Sequence, residues 1–231
     1  MPFETCPLLD ELPWIRHGFF DARTPFALTK PLVGIVAFSA DYPQAIFLSQ
    51  THSDRVLTTE DDLSVSADGL ITDKTGVALA IKTADCCPLM IVCPSTRQIA
   101  NVHAGWRGAL NGIALHTVDK MVANGAEADK LIVAIGPSIF GENYPVQDDV
   151  RDQFAAERPE ALPFFLRFED RWKVDVADIV RHQLTNTGLK HIWKSDIDTF
   201  GSNEYASYRR YTADRSLPDA RNISILMKRE V

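Results

Sequence analysis

Residues 76–93 read GVALAIKTADCCPLMIVC. Two apolar runs of strand length flank a polar corner, TADCCP (83–88). Neither run alternates cleanly between apolar and polar residues, which predicts two strands that are each covered on both faces. Outward from this corner, VGIVAFSA (33–40), QAIFLSQ (44–50), QIANVHAG (98–105), LIVAIGP (131–137) and NISILMK (222–228) predict further strands. After residue 105, Leu110, Ile113, Ala114, Val118, Met121 and Val122 recur at three- and four-residue spacing up to Gly125, which predicts one helix. PVQDDVRDQFAAE (145–157) reads as a second, with Val146, Val150 and Phe154 on one face. DVADIVRHQLTNTG (175–188) reads as a third, capped by Asp175 and stopped by Gly188. ERPEALPFF (157–165) contains prolines but is too apolar to be a linker. Strands interleaved with helices predict a mixed α/β protein, organised as one domain over residues 1–231.

Composition narrows the function. The 231 residues are 45% hydrophobic and 24% charged, an ordinary globular balance. A net charge of −7 argues against a general nucleic-acid binder. Residues 205–231 nevertheless carry six Lys or Arg against three acids, a segment suited to a small anion or to a solvated face. The opening MPFETCPLLDELPWIRHGFF has acids among its first ten residues and no long apolar core, unlike a signal peptide. Runs of the ~18 apolar residues that span a membrane are missing, so a cytoplasmic protein without membrane partners is expected. Cys6, Cys86, Cys87 and Cys93 are then expected to be thiols.

Three polar corners follow apolar runs. They are SQTHSDRV (49–56) with His52, TADCCPL (83–89) with Asp85, Cys86 and Cys87, and NVHAGWRG (101–108) with His103. Sites in α/β proteins gather at such strand ends. Two His and one Cys suit zinc with a fourth position left open. The intervals of 34 residues from His52 to Cys86 and 17 from Cys86 to His103 match no short zinc-finger pattern, so the fold has to assemble the set. Cys86 and His103 also fit a nucleophilic Cys–His pair. The plainer alternatives are strand-end histidines without a ligand, and Cys6, Cys87 and Cys93 as small core residues.

QTHSDRV, ADGLIT, TADCCPLMI, HAGWRG and the late SYRR, in that order, resemble the bacterial laccase-domain or polyphenol oxidase family, from about Arg16 to the C-terminus. The resemblance implies a four-layer α/β/β/α sandwich with mixed β-sheets. It implies a zinc-dependent purine nucleoside phosphorylase with accompanying adenosine deaminase activity, and relation to peptidoglycan-editing proteins. The family's metal ligands fall on His52, Cys86 and His103. Two departures stand out. The Gly-Gly of a common R-x-G-G-V-S segment is missing from DARTPFALTKPLVG (21–34), which keeps Arg23, and Asp198-Thr199 stands where many members have Cys-Thr.

On that footing, each residue type has an expected task. Gly105 and Gly108 let the backbone approach a ligand, Trp106 stacks on a base or packs the core, and Arg107 holds an anion or an ion-pair partner. Arg23, Arg107, Arg209 and Arg210 are the phosphate candidates, because a guanidinium binds phosphate bidentately. Tyr208 is a hydrogen-bond donor to sugar or phosphate. Asp68 and Asp85 are proton-shuttle candidates for deamination, with Asp68 alternatively a turn residue before Gly69. The substrates expected are a purine nucleoside and phosphate. The competing readings are a copper-dependent polyphenol oxidase, a Cys–His hydrolase or amidase acting on cell-wall peptide precursors, and a metal-binding partner protein. Six His in all argue against a full multicopper set.

Overall fold

Strands are numbered β1–β15 and helices α1–α6 along the chain of the computed structural model, which describes residues 3–29 and 32–230. The opening stretch forms β7 (Ala78–Thr83) and β8 (Cys87–Val92), and the two strands belong to different sheets. The TADCCP corner is therefore a crossing from one sheet to the other. That placement accounts for the apolar runs without alternation. Along β8, Leu89 and Ile91 pack toward helices while Met90 and Val92 pack toward the partner sheet.

Sheet I joins β1 (Phe3–Glu4), β2 (Ile15–Phe20), β15 (Asn222–Lys228), β7, β4 (Ala45–Phe47) and β3 (Gly34–Val36), in that order. The β4–β7 pair is parallel and the others are antiparallel. Sheet II joins β14 (His191–Lys194), β10 (Ile132–Ile135), β8, β9 (Ile99–Ala104), β6 (Gly69–Thr72) and β5 (Val56–Thr58). Its outer pairs, β14–β10 and β6–β5, are parallel. β11 (Pro145–Val146), β13 (Arg171–Val174) and β12 (Phe165–Phe168) form a small third sheet.

Between the large sheets lie Phe19, Leu79 and Leu226 from one side and Leu70, Met90, Val92 and Ile99 from the other. Buried Asn101 pins the two together. Its amide donates to the carbonyls of Leu79 (2.9 Å) and Ser224 (3.0 Å), and its oxygen accepts from the Ser224 hydroxyl (3.1 Å). The far face of sheet II packs on α2 (Trp106–Asn111), α3 (Ile113–Ala123), α4 (Asp148–Glu157) and α5 (Val176–Asn186) through Leu110, Ile113, Val118, Phe154, Val180 and Leu184. The remaining helices are the short α1 (Pro7–Asp10) and α6 (Tyr208–Ala213). The far face of sheet I, with Ala78, Ala80, Ile223 and Ile225, lies under Leu32, Phe38 and Tyr42. The fourth layer of the sandwich is thus made of mostly irregular chain around Leu32, Phe38 and Tyr42; Lys30 and Pro31 lie outside the described residues.

The expected elements are present with adjusted bounds. The single helix expected after residue 105 is two helices, broken at Gly112 (φ +80°). Asp175 caps α5 by accepting from the Asp178 amide at 2.8 Å. Pro145 and Val146 are strand rather than helix, and Val146, Val150 and Phe154 are all buried. Among the described residues, no helix is long and apolar enough to cross a membrane.

Candidate metal centre and cavity

Three chain segments that cross between the sheets, or end a strand beside them, meet at one edge of the sandwich. His52 lies on the crossing from β4 to β5, Cys86 on the crossing from β7 to β8, and His103 near the end of β9. Strand register sets their proximity. Pro88 pairs with His103 and Cys87 with Ala104, which places Cys86 beside the turn after β9. The ligand atoms of His52, Cys86 and His103 all lie within 4.8 Å of one another. The Cys86 Sγ to His52 Nε2 distance is 3.7 Å. A tetrahedral zinc ion with bonds of about 2.05 Å to nitrogen and 2.3 Å to sulfur spans about 3.6 Å between such a pair, so the spacing of Cys86 and His52 fits that ion.

The surrounding residues hold this geometry under strain. His52 (φ +60°) and Asp85 (φ +86°) both occupy the left-handed region, which is costly for side chains other than glycine. Fully buried Asp68 restrains the first. Its carboxylate accepts from the amides of Thr51 (3.1 Å), His52 (3.0 Å) and Ser53 (2.7 Å) and from the Ser53 hydroxyl (2.6 Å). It also bonds His103 Nδ1 at 2.7 Å, because β6 and β9 pair Gly69 with Val102. That bond leaves His103 Nε2 for the centre, the carboxylate–histidine arrangement that orients metal ligands. Asp68 is therefore more than a turn residue. Gln50 ties the same loop to β7, donating to the Lys82 carbonyl (2.8 Å) and accepting from the Lys82 amide (2.9 Å). Gly105 is required by close approach: a Cβ there would lie 2.8 Å from His52 Cδ2 and 3.1 Å from Cys86 Sγ.

The electrostatics are coupled. Burial opposes a Cys86 thiolate, but the His103 charge and hydrogen bonds from both histidines prevail and push the thiol down to about 6. Burial likewise opposes a His103 cation, yet the Cys86 and Asp68 charges raise it to about 9. Asp68, despite burial, is held down to about 2 by His103 and Ser53. Cys87 points the other way, into the helix-side core, and burial pushes its thiol up.

A cavity of about 670 Å³ opens on this centre. Of the residues singled out from sequence, His52, Asp85, Cys86, His103, Trp106, Arg107, Tyr208 and Arg209 line it. Arg107 stacks over the Trp106 ring at 4.2 Å, and Trp106 itself packs against the helix-side core. Arg209 lies 5.4 Å over the Tyr144 ring and donates to the Pro145 carbonyl at 3.1 Å. Partly buried Tyr144 lies beneath Arg209, whose amide donates to Asp85 beside Cys86, so these groups share one end of the cavity. The Asp85 carboxylate braces that end: it accepts from the Thr199 hydroxyl (2.8 Å) and the Arg209 amide (2.7 Å).

Two candidates lie elsewhere. Arg23 does not line the cavity; it bonds Asp21 (2.5 Å) and Glu204 (3.1 Å). Arg210 is also outside it, its guanidinium engaged by the carbonyls of Thr199, Phe200, Ser202 and Tyr205. Asp198 accepts from the Phe140, Phe200 and Gly201 amides and from Asn143, so it fastens two loops rather than facing the cavity. Gln50, Lys82 and Tyr144 line the cavity without having been singled out from sequence, and Arg221 comes from the basic 205–231 segment read as suited to a small anion. Lys82 carried a signal, a lone charge inside the apolar run of β7.

The family model described as multi-copper polyphenol oxidoreductase laccase matches residues 34–224. A purine nucleoside phosphorylase of Deinococcus radiodurans is 36% identical over 179 residues, 78% of this chain and 69% of that protein. The purine nucleoside phosphorylase YfiH of Escherichia coli K12 is 32% identical over 168 residues, 71% of this chain and 68% of that one. Among solved structures, a Neisseria meningitidis protein superposes with a TM-score of 0.70 at 26% identity over 80% of this chain and 75% of its own. YlmD of Geobacillus stearothermophilus gives 0.78 at 24% identity over 99% of both chains, a likeness of fold.

Proposed function

The chain belongs to the multi-copper polyphenol oxidoreductase laccase family, and we propose that it is a zinc-dependent purine nucleoside phosphorylase. One observation carries the reading. The His52–Cys86–His103 donor set opens on a cavity with room for a nucleoside, which two cations, Arg107 and Arg209, also line. Two imidazoles and a thiolate suit zinc. Bound there, zinc would act as a Lewis acid and polarise an oxygen of the reactants.

The chain's own residues do the remaining work. Arg107 and Arg209 hold phosphate beside the sugar's anomeric carbon, and the Tyr144 and Trp106 rings wall the space and exclude water. A phosphate oxygen forms the new bond to that carbon. The carbon–nitrogen bond to the purine breaks, its electron pair leaves with the base, and the proton that hydrogen phosphate gives up on forming the ester neutralises the base. The products are adenine and ribose 1-phosphate. Adenosine deamination is the less supported activity, because Asp68 and Asp85 are each engaged by several donors and neither is a free proton shuttle.

The low thiol of Cys86 beside His103 is the observation that favours a Cys–His hydrolase instead. Copper oxidation of phenols, the chemistry in the family's name, calls for several centres; one His/Cys/carboxylate group of ligating geometry is found among the described residues.

The test is adenosine with and without phosphate, given to metal-analysed protein, with adenine, inosine and hypoxanthine resolved by chromatography. Phosphate-dependent adenine is expected, with one zinc per chain. Cys86→Ala should lose the zinc and at least a hundredfold in rate. Zinc-replete protein that releases none of the three products sinks the reading, and activity that survives metal removal but not alkylation transfers it to the hydrolase.

A further inference from the structure

The cavity extends past the metal end to the irregular cover of sheet I, where Thr29 and Leu32 line it. Lys82 stands on β7 in the same outward row as Ala78 and Ala80, beneath that cover. Its ammonium donates to the carbonyls of Leu32 (2.6 Å) and Leu48 (3.3 Å). An ammonium has three N–H donors, so one remains for the cavity. Neither carbonyl neutralises the charge. Arg221 lines the cavity one residue before β15, which pairs Ile223 with Lys82 and Asn222 with Thr83. Residues 221 and 223 share a sheet face, so Arg221 extends the row that holds Lys82. Arg221 donates to Asp219 (2.6 Å) and the Ala220 carbonyl (2.7 Å), and its guanidinium lies 5.8 Å from the Tyr208 ring centre. Burial and the Arg221 charge together hold the Lys82 ammonium below the usual lysine range. Asp68 acts on it in the opposite direction, but that carboxylate is already bonded to His103, Ser53 and the 51–53 amides.

The cavity therefore carries four cations. Arg107 and Arg209 lie on the side of Cys86, while Lys82 and Arg221, the latter ion-paired to Asp219, share the sheet face beneath the cover. A strut that merely ties Leu32 to β7 needs one donor and gains nothing from a second cation on the same face. We propose that Lys82 and Arg221 form an oxyanion subsite that receives an anionic group carried by the substrate itself, remote from the bond that reacts. The inference rests on the nucleoside reading for the rest of the ligand, and with it the substrate class becomes a purine nucleoside 5′-monophosphate.

The experiment is calorimetric titration of the zinc-loaded protein with AMP, adenosine and inorganic phosphate, for wild type, Lys82→Met, Lys82→Arg and Arg221→Gln. Wild type should bind AMP at least tenfold more tightly than adenosine. Lys82→Met and Arg221→Gln should each lower that ratio at least tenfold, and Lys82→Arg should restore most of it. Should Lys82→Met fail to fold, judged by zinc content and urea midpoint, Arg221→Gln carries the comparison. An equal loss for both ligands reduces Lys82 to a strut and overturns the inference. So does a wild-type ratio near one, or a loss confined to inorganic phosphate, which would assign the subsite to the co-substrate. Binding is read without turnover, so a Lys82-dependent AMP preference in a protein that releases no adenine leaves the subsite standing and removes the phosphorylase. Adenosine phosphorolysis without an AMP preference does the reverse.

Discussion

Cys86 and Cys87 are chain neighbours with opposite chemistry. Cys86 shares its space with two imidazoles, whereas Cys87 is fully buried among helix-side apolar groups. In metal-stripped protein the His103 cation stabilises the Cys86 thiolate, so the thiolate predominates above about pH 6 and the thiol below it. Iodoacetamide should therefore modify one cysteine rapidly, with a rate that climbs through a midpoint near pH 6, and zinc should block it. His103→Ala should move the midpoint toward the ordinary ~8.5. A wild-type midpoint already near 8.5 contradicts the electrostatic account. The same scale shows what a sequence reveals of a site. His52, Cys86 and His103 each follow an apolar run, and strand register then brings them together. Arg23 and Arg210 look equally available in sequence, but their charges are engaged by Asp21, Glu204 and four backbone carbonyls. Those partners depend on loop conformation, which residue type does not report.

At the scale of elements, the interruption between α2 and α3 is instructive. The apolar spacing runs on through residues 106–123 because both helices press on the same core over sheet II. Periodicity reports that shared face and is silent about the left-handed Gly112 between them. Arg158 fills the space there, donating through Nε to the Leu110 carbonyl at 3.0 Å. An alanine at 112 would carry a Cβ 2.7 Å from an Arg158 nitrogen. The left-handed backbone alone costs about 1–2 kcal/mol for a non-glycine residue. Gly112→Ala should therefore lower the urea unfolding free energy by about 2 kcal/mol. Gly112→Asn should cost less, since Asn tolerates this conformation. A change in Gly112→Ala below about 0.5 kcal/mol would show that the helices join without strain. Strands that sequence misses have local reasons as well. β2 carries Arg16, His17 and Gly18, and buried His17 accepts the Cys6 amide at 2.9 Å. β14 lies at the edge of sheet II, partly exposed, with a correspondingly weak apolar pattern.

At the scale of the whole molecule, the two-sheet sandwich is legible in the doubly apolar strands, but the character of its fourth layer is not. The chain around Leu32, Phe38 and Tyr42 covers sheet I through scattered contacts, without a period to read. The candidate centre lies where the chain passes between sheets. His52 is on one crossing, Cys86 on another, and His103 on sheet II itself, so a bound ion would link both sheets at one edge while Asn101 links them inside. Unfolding must separate these ligands, and an ion that binds the folded chain alone stabilises it by mass action. At a free concentration one hundredfold above the dissociation constant the gain is about 2.7 kcal/mol. For a chain of this size each kcal/mol moves the melting temperature by roughly 2–4 °C. Chelation should therefore lower the wild-type melting temperature by roughly 5–10 °C, and zinc should restore it. His52→Ala removes one of the three candidate ligands and should abolish the zinc-dependent shift, whatever its own effect on the stripped protein. A shift that persists undiminished in that variant would place the stabilising ion away from the sheet crossings.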